Sequence, residues 1–463
     1  MSLQIYNTLS RKKEEFVELE KGKVGMYVCG PTVYDRGHLG HAYAAVSMDV
    51  IRRYFEYKGY VVTYVSNITD VDDKMIKRAA DEGINEVELA EKIIPLYSAD
   101  YSALNVLPPN KQPRATQYIK QMVVMIENLI AKGVAYEAQD GVYFEVKKFK
   151  DYGKLSRQKL DELRAGARVE VDESKKNPED FALWKRAKKG DPEWDGPSGM
   201  RGRPGWHIEC SAMSTNILGD TFDIHGGGAD LIFPHHEDEI AQSEMATGKQ
   251  FARYWLHNGH IRVEGEKMSK SLGNFFSMEA IFAKYNPLVV RYFLISNHYR
   301  NPVDFSDGLL ESAKAGLGRL HDFIRRLRSY SPPKDVGETL DVRGLDAYKQ
   351  GFESAMDCDF TTPGALSFIF ELINDVNAGM DKNLVSEKYR STVEQMMLEF
   401  DKVLAVLIVN EEADDDLDNL IKERNDARAE KNFARSDEIR DELKSRGIEL
   451  EDSASGTTWK RVL

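Results

Sequence analysis

Along the first hundred residues, short apolar runs rich in Val, Tyr and Thr alternate with longer stretches whose apolar positions recur at helical spacing. Gly25 to Cys29 and Tyr60 to Ile68 read as strands, whereas about His41 to Lys58, and the stretch from Asp72 onward, read as helices. Strand, helix, strand in that order predicts a parallel sheet with crossover helices, whose ligands sit beyond the carboxyl ends of the strands. The proline-rich segment Leu107 to Pro113 closes this block, and a further helix is expected over Thr116 to Lys132. From about Ala135 to Met200 the pattern changes to a short hairpin candidate at Tyr136 to Val146 and a polar, lysine-rich remainder, which reads as an insertion. Strand-like signals return at Phe222 to His225 and at Trp255 to Val263, so the sheet is expected to be split around that insertion.

Farther along, Leu309 to Val409 keeps helical periodicity with few strand signals and predicts a helix bundle. An acidic run, Glu411 to Asp418, reads as a linker. Leu420 to Arg446 then reads as two helices, with Gly447 at the expected left-handed cap, and Ile448 to Leu463 as a hairpin turning near Ser455 and Gly456. The expected division is 1–134 and 206–262 for the two halves of an α/β catalytic domain, 135–205 for the insertion and 263–308 for a lysine-motif and stem-contact region. The bundle then takes 309–410, the linker 411–419 and a small α+β terminal domain 420–463.

The length of 463 residues exceeds what one core organises, since single cores stop growing near roughly 250 residues. No apolar run approaches the ~20 residues of a membrane-spanning helix, and the start, MSLQIYNTLSRKKEEF, lacks the apolar core of a secretory signal. The expected setting is therefore cytoplasmic, without a membrane partner. Cys29, Cys210 and Cys358 are too few for a disulfide framework and read as reduced thiols or metal ligands. The net charge of −13 argues against nonspecific binding to nucleic acid, though not against a local basic face.

Candidate chemistry concentrates in a few places. His38 and His41, flanking Gly40, fall on the first turn of a helix, where unpaired amides attract anions. EKMSKSLG sets Lys267 and Lys270 three apart on a Ser- and Gly-flanked loop suited to charge moving onto pyrophosphate. Cys29 and Cys210, with FPHHEDEIAQ, offer a zinc set; His235 and Glu239 at i, i+4 form the favoured chelating pair and His236 with Glu239 at i, i+3 the competitor. HGGGAD combines Gly226, Gly227 and Gly228, which permit close backbone approach, with Asp230, a carboxylate fit for ribose hydroxyls. In the tail, Arg428, Phe433, Asp437 and Arg440, with Asp452 and Trp459 in the hairpin, interleave charge and aromatic rings as unpaired bases require. A soft zinc ion selects a thiolate over a hydroxyl of nearly the same shape, groups that an ordinary pocket separates by only ~1 to 3 kcal/mol.

His38-Leu39-Gly40-His41 and Lys267-Met268-Ser269-Lys270-Ser271 resemble the two hallmark elements of the class I aminoacyl-tRNA synthetases. Longer stretches are similar to the bacterial-type cysteinyl-tRNA synthetase family from one end of the chain to the other: MYVCGPTVYDRGHLGHA, NITDVDDK, PRATQYI, RPGWHIECSAMS, FDIHGGGADLIFPHHEDEIAQ, EGEKMSKSLGN and LEDSASGTTWKRV. The resemblance implies activation of L-cysteine by ATP with Mg²⁺, transfer to tRNA(Cys), and a monomer. It implies catalysis by His38, His41, Lys267 and Lys270, and zinc held by Cys29, Cys210, His235 and Glu239. Cys29, Thr69, Trp206 and His225 would meet the amino acid, while His38, Gly40, His41, Lys270, Gly226 to Gly228 and Asp230 would meet ATP. The tail residues Arg428, Phe433, Asp437, Arg440, Asp452 and Trp459 would read the anticodon. Two departures stand out: WDGPSGMRGRPGW is a residue longer than the family's usual approach and lacks its second tryptophan, and Cys358, read as a structural thiol, stands where the family commonly has Asp. Relatives that join the same adenylate to a sugar amine lack the terminal module, which disfavours that alternative here. A zinc-containing RNA-binding protein without catalysis is disfavoured by the intact histidine and lysine motifs.

Overall fold

The structure, a computed structural model, describes residues 2–159, 175–263, 265–267, 276–332, 340–407, 415–445, 448–453 and 456–461; at 266–267, 415–418, 445 and in most of 448–461 the backbone alone is described. An N-terminal hairpin, β1 (Gln4–Asn7) and β2 (Lys12–Glu15), precedes β3 (Lys23–Val28), α1 (Leu39–Tyr57) and β4 (Val61–Ser66). Three helices follow, α2 (Asp73–Glu82), α3 (Glu86–Ala103) and α4 (Ile119–Ala131). Asp72 caps α2, accepting from the Lys74 amide at 2.8 Å, and Gly83 ends it in the left-handed region at φ 70°. The predicted helix over Thr116 to Lys132 thus begins as a 3₁₀ turn at Ala115–Tyr118 before becoming α-helical.

The insertion holds more sheet than the sequence reading expects. Strands β5 (Ala135–Glu137), β6 (Gly141–Phe144), β7 (Phe181–Arg186), β8 (Trp194–Asp195) and β9 (Arg201–Pro204) form an antiparallel sheet in the order β5-β6-β7-β9-β8. The later strands are short, and the pattern of β7 is not a clean alternation, since Leu183 and Trp184 are both fully buried. Trp184 organises this sheet from within: its indole N–H donates to the Met200 carbonyl at 3.1 Å, and a Cβ on Gly196 or Gly202 would strike its ring.

After α5 (Trp206–Leu218) come β10 (Phe222–Gly228), α6 (Glu237–Thr247) and β11 (Ala252–Asn258). The main sheet has the order β11-β10-β3-β4 with every pair parallel, so its two halves, far apart in sequence, interleave around the insertion. In β3 the residues Met26 and Tyr27, and in β10 the residues Ile224 and His225, are fully buried, as a sheet covered on both faces requires. Small strands β12 (Ile261–Val263) and β13 (Glu266–Lys267), helices α7 (Met278–Phe282) and α8 (Pro287–Ile295) and strand β14 (Val303–Phe305) lead into the bundle α9 (Asp307–Ser329), α10 (Leu345–Asp357), α11 (Thr362–Asp381) and α12 (Glu387–Leu404).

Sheet and bundle share one apolar core, running from Val24 and Met48 through Val289 and Leu317 to Phe400. Arg291, fully buried, pins the junction: it donates to Asp49 Oδ2 at 2.7 Å and to the carbonyls of Leu404 and Leu104 at 2.7 and 2.9 Å. Those carbonyls end α12 and cap α3, and a buried guanidinium is tolerated only with its donors satisfied in this way. Cys358 lies exposed at the C-cap of α10, its sulfur 3.1 Å from Lys13 Nζ, away from the other thiols. The terminal unit pairs α13 (Asp415–Ala429) and α14 (Phe433–Ser445) with an antiparallel hairpin, β15 (Ile448–Ser453) and β16 (Gly456–Arg461). Ile439 and Leu443 form its small core. The expected cap at Gly447 lies outside the described residues. No helix among the described residues is long and apolar enough to cross a membrane.

Candidate active site

A cavity of about 560 Å³ opens beyond the carboxyl ends of β3, β4, β10 and β11, where a parallel sheet presents its ligand site. Cys29, Thr32 and Trp206 line one end of it, and His38, Gly40, His41, Gly228, Asp230 and Asn258 another.

At the second end, His38 is the N-cap of α1. Its Nδ1 accepts from the Gly40 amide at 3.1 Å, and His41 Nδ1 accepts from the His38 amide at 3.3 Å, a reciprocal box built from two imidazoles. Both rings therefore use Nδ1 as acceptor, which puts the proton of each neutral imidazole on Nε2. The rings stack at 3.8 Å, and Tyr97 from α3 packs edge-on against His41 at 5.4 Å with its hydroxyl 3.4 Å from Nδ1. Helix capping thus engages Nδ1 of both side chains. Lys267 lies on β13, which pairs with β12 at the cavity rim, but its side chain, like all of Lys270, lies outside the described residues.

At the first end, four donors from four elements converge. Cys29 follows β3, Cys210 lies in α5, His235 in the irregular turn before α6, and Glu239 in the first turn of α6. Cys29 Sγ stands 3.7 Å from Cys210 Sγ, 3.6 Å from His235 Nε2 and 3.5 Å from Glu239 Oε1, and His235 Nε2 is 3.0 Å from that oxygen. Bond lengths of about 2.3 Å to sulfur and 2.0–2.1 Å to nitrogen put tetrahedral edges at roughly 3.3 to 3.8 Å, so the donor set fits zinc in chemistry, the three separations from Cys29 fall on such edges, and the imidazole–carboxylate pair, hydrogen-bonded at 3.0 Å, stands a few tenths of an ångström closer. His235 is not on a regular helix as its sequence context suggests: Ile232–His236 is a π-helical turn with Phe233 extended, and the i, i+4 reach to Glu239 survives because the turn runs on into α6. The competing set, Cys29, His225, His236 and Glu239, is also within reach, with His236 Nε2 3.3 Å from Cys29 Sγ but 4.0 Å from Glu239 Oε1. It carries one thiol instead of two.

Burial sets the charges of this cluster. Burial alone would raise the Glu239 carboxyl, but the facing imidazoles of His225 and His235 outweigh it and hold the group at about 2. Burial and the neighbouring Cys210 push the Cys29 thiol well up, whereas the hydrogen bond that Cys29 donates holds Cys210 down at about 6. Burial opposes protonation of His235, yet Glu239 and Cys210 raise it to about 10.

A second layer supports the first. His235 Nδ1 lies 3.0 Å from His207 Nδ1, His207 Nε2 lies 3.4 Å from Asp238 Oδ2, and the Tyr152 hydroxyl donates to Asp238. Trp206 stacks on His235 at 4.1 Å. On the far side, His236 Nδ1 meets His257 Nε2 at 2.8 Å, and His257 Nδ1 meets the Thr8 hydroxyl at 2.8 Å; burial holds His257 neutral, down at about 3. Glu237 accepts from the amides of Gly153 and Ser156 at 2.9 and 2.7 Å, so successive residues of one short segment serve the donor cluster and anchor the insertion. None of Tyr152, His207, Glu237, Asp238 and His257 is marked by sequence spacing; a carboxylate-rich helix start (EDE) with two histidines before it is the one hint.

Several expected residues take other positions. His225 is fully buried, with Nε2 2.9 Å from Glu239 Oε2 and its ring stacked on Trp255 at 4.4 Å, so it backs the carboxylate instead of facing the cavity. Thr69 is buried too, its hydroxyl donating to Glu209 at 2.9 Å. Gly226 and Gly227 answer to the protein's own packing: a Cβ on Gly227 would lie 2.9 Å from His236 and Leu231. Gly228 and Asp230 do reach the cavity. In the terminal unit Phe433 is 63% exposed, and Arg440 pairs with Asp437 at 3.1 Å on the surface. Arg428 lies in the last turn of α13, while Asp452 and Trp459 have only their backbone described, on β15 and β16.

Comparison with known proteins bears on all three parts of the chain. Residues 15–315 match the model of the tRNA synthetases class I (C) catalytic domain, 351–408 the DALR domain, and 410–459 the cysteinyl-tRNA ligase anticodon binding domain. The cysteine–tRNA ligase of Thermococcus onnurineus (strain NA1) is 49% identical over 478 residues, spanning 100% of both chains. That of Carboxydothermus hydrogenoformans is 50% identical over 469 residues, covering 99% of this chain and 100% of its own. Among solved structures, Mycobacterium tuberculosis methionyl-tRNA synthetase in complex with methionyl-adenylate shares the fold, with a TM-score of 0.60 at 16% identity over 83% of this chain and 90% of its own. Split parallel sheet, histidine turn, donor cluster and terminal module thus coincide with end-to-end similarity, and the chain belongs to the cysteine–tRNA ligase family of class I aminoacyl-tRNA synthetases.

Proposed function

We propose that this chain activates L-cysteine with ATP and passes the cysteinyl group to tRNA(Cys), with selectivity set by zinc held by Cys29, Cys210, His235 and Glu239. The observation that carries this reading is the convergence of two thiols, an imidazole and a carboxylate within 4.8 Å of one another beside a cavity that also presents His38 and His41. Two thiolate donors favour this set over the one built on His236, and leave His225 to orient the second oxygen of Glu239. When bound, zinc supplies a soft Lewis acid that takes a thiolate and discriminates against a hydroxyl.

The chain's own groups account for the rest. Trp206, stacked on His235 at the cavity wall, forms one side of the amino-acid end. The amino-acid carboxylate attacks the α-phosphate in line and pyrophosphate leaves, so no covalent bond to the enzyme is required. His38 and His41 direct Nε2–H donors at the phosphates, with Mg²⁺ accompanying ATP and Lys267 and Lys270 taking up charge on the leaving group. Gly228 and Asp230 supply the nucleoside end. The terminal ribose of the tRNA then receives the acyl group through its 2′-OH, and Arg428, Phe433, Asp437, Arg440, Asp452 and Trp459 read the anticodon.

The test is ATP–pyrophosphate exchange driven by cysteine or by serine, for the wild type and Cys210→Ser, with zinc content measured on both. The reading requires exchange with cysteine, discrimination against serine, and collapse of both cysteine exchange and zinc content in the variant. Unchanged selectivity in Cys210→Ser would contradict it.

A further inference from the structure

The turn that carries His38 and His41 is held from outside by groups that neither the donor cluster nor the histidines themselves explain. Arg36, two residues before His38, spans two elements: Nε and Nη2 reach Asp100 of α3 at 3.3 and 2.9 Å, and Nη1 reaches Glu279 of α7 at 3.1 Å. Asp100 is 2% exposed, so its charge is tolerated only because the guanidinium meets it with two donors. Glu279, at 71% exposure, is not needed to neutralise anything buried.

Backbone bonds run alongside. The Met278 amide donates to the Gly37 carbonyl at 3.0 Å, the Leu39 amide donates to the Phe276 carbonyl at 3.3 Å, and His38 and Ser277 form an antiparallel bridge between them. One turn earlier on α3 than Asp100, Tyr97 sits against the same loop: a Cβ on Gly37 would lie 3.2 Å from its ring. The histidine turn is thus clamped between α3 and the segment Phe276–Phe282, which follows the lysine motif directly in sequence.

We propose that Arg36 is a positioning residue for the phosphate step, joining the His38–His41 turn through Asp100 and Glu279 to the chain that follows Lys270. Asp100 anchors the guanidinium and Glu279 transmits its position to α7. An exposed ion pair contributes little to stability, so any work Glu279 does must register in the geometry of triphosphate binding. A mere fold-stabilising pair would weaken every ligand and the fold together.

This inference rests on the proposed function only in taking a triphosphate as the ligand, and the test separates the two. Arg36→Gln, Glu279→Gln and the double variant are compared in cysteine-dependent ATP–pyrophosphate exchange, and by calorimetry with a nonhydrolysable ATP analogue and with adenosine. Arg36→Gln is expected to lower kcat by roughly ten- to a hundredfold, the scale of a displaced reacting group, with KM for cysteine, zinc content and adenosine affinity unchanged. Glu279→Gln, safe for folding because it is exposed, is expected to lose about threefold in kcat and in analogue affinity, and to lose nothing further once Arg36 is gone. Unchanged kcat in Arg36→Gln, simple multiplication of the two losses, or a parallel fall in cysteine and adenosine binding would each overturn the proposal. Should the wild type exchange no pyrophosphate with cysteine, the cysteine reading fails, and the same coupling is then read from the analogue affinities alone.

Discussion

The two ends of the cavity are built by opposite means. At the histidine end, each recognition group is positioned by bonds to its own neighbours in sequence: His38 to Gly40, His41 to His38. At the thiol end only His235 and Glu239 are neighbours in sequence; Cys29 meets Cys210 and His235 across separations of 181 and 206 residues, and nearly every side chain is buried. A local device tolerates exposure because the helix start supplies its geometry, whereas a non-local one depends on the whole fold to hold four donors within ångströms. If the proposed function holds, the histidine end should lose rate when disturbed, and the thiol end should lose its metal.

The largest effect expected from breaking that contrast is at the thiol end. Cys210→Ser replaces one of two soft donors with a hydroxyl at a buried position, and cysteine activation should fall on the order of 10³-fold or more, with zinc lost from the purified protein. Adenosine binding at the other end should be unaffected. A variant that keeps stoichiometric zinc and near-normal exchange would mean that the donor set has been misassigned.

Next in size is His38→Asn. Asparagine is a good N-cap, so the Gly40 amide keeps an acceptor and α1 keeps its start, while the Nε2–H is deleted. The expected result is a loss of ~10²–10³ in kcat for pyrophosphate exchange with KM for cysteine and thermal stability little changed. A large drop in stability with modest loss of rate would make His38 chiefly a cap.

A titration sharpens the same comparison from the metal's side. Before an ion enters, near neutral pH, Cys29 is a thiol, Cys210 a thiolate, His235 protonated and Glu239 ionised, for a net charge of −1. With two thiolates, a neutral imidazole, a carboxylate and a divalent ion the net charge is again −1. Entry of zinc should therefore expel two protons, from Cys29 and His235, whose raised affinities are the ones lost as pH climbs. Zinc affinity should rise by about a hundredfold per pH unit near neutrality and ease to about tenfold per unit above pH ~10, where His235 is already neutral and Cys29 alone still gives up a proton. Calorimetry in buffers of differing ionisation enthalpy counts the protons directly; a count of zero would rule out this charge assignment.

How much was readable beforehand follows the same division. The strand–helix alternation, the histidine turn and the terminal hairpin were legible, being local patterns of period, cap and turn. The four donors were legible as candidates because Cys and His are scarce, 3 and 10 in the chain, and Glu239 stands four residues after one of those histidines, yet their supports were not. His225 was expected at the cavity and proves to back Glu239, and Thr69 is turned toward Glu209, because which way a buried side chain faces depends on partners, here 14 and 140 positions away, that no local period marks. The sheet of the insertion was half missed for a related reason: β8 and β9 are too short to show a period, and their partners are fixed by Trp184 rather than by their own pattern. Glycines 226 and 227 read as ligand-approach residues, and the protein's own packing also crowds them: a Cβ would lie 3.0 Å from the Met48 sulfur and 2.9 Å from His236.

The smallest effects belong to the support behind His235, and their gradation tests whether that support is a chain or a coincidence. If His235 Nδ1–H is held by His207, His207 by Asp238 and Asp238 by Tyr152, each link acts on the ion only through the link before it. His207→Gln should weaken zinc binding by roughly ten- to a hundredfold, the usual cost of losing a partner of a coordinating imidazole. Asp238→Asn should cost about tenfold, since an amide still fills the space but no longer fixes the His207 tautomer. Tyr152→Phe, which deletes one hydrogen bond worth about 1 kcal/mol to a carboxyl already raised by burial, should cost no more than about fivefold. Competition with a chromogenic chelator measures all three without reference to catalysis. Equal losses at every position would point to general loosening of α5 and α6, and a larger loss at Tyr152 than at His207 would show that the insertion, not the imidazole chain, governs the site.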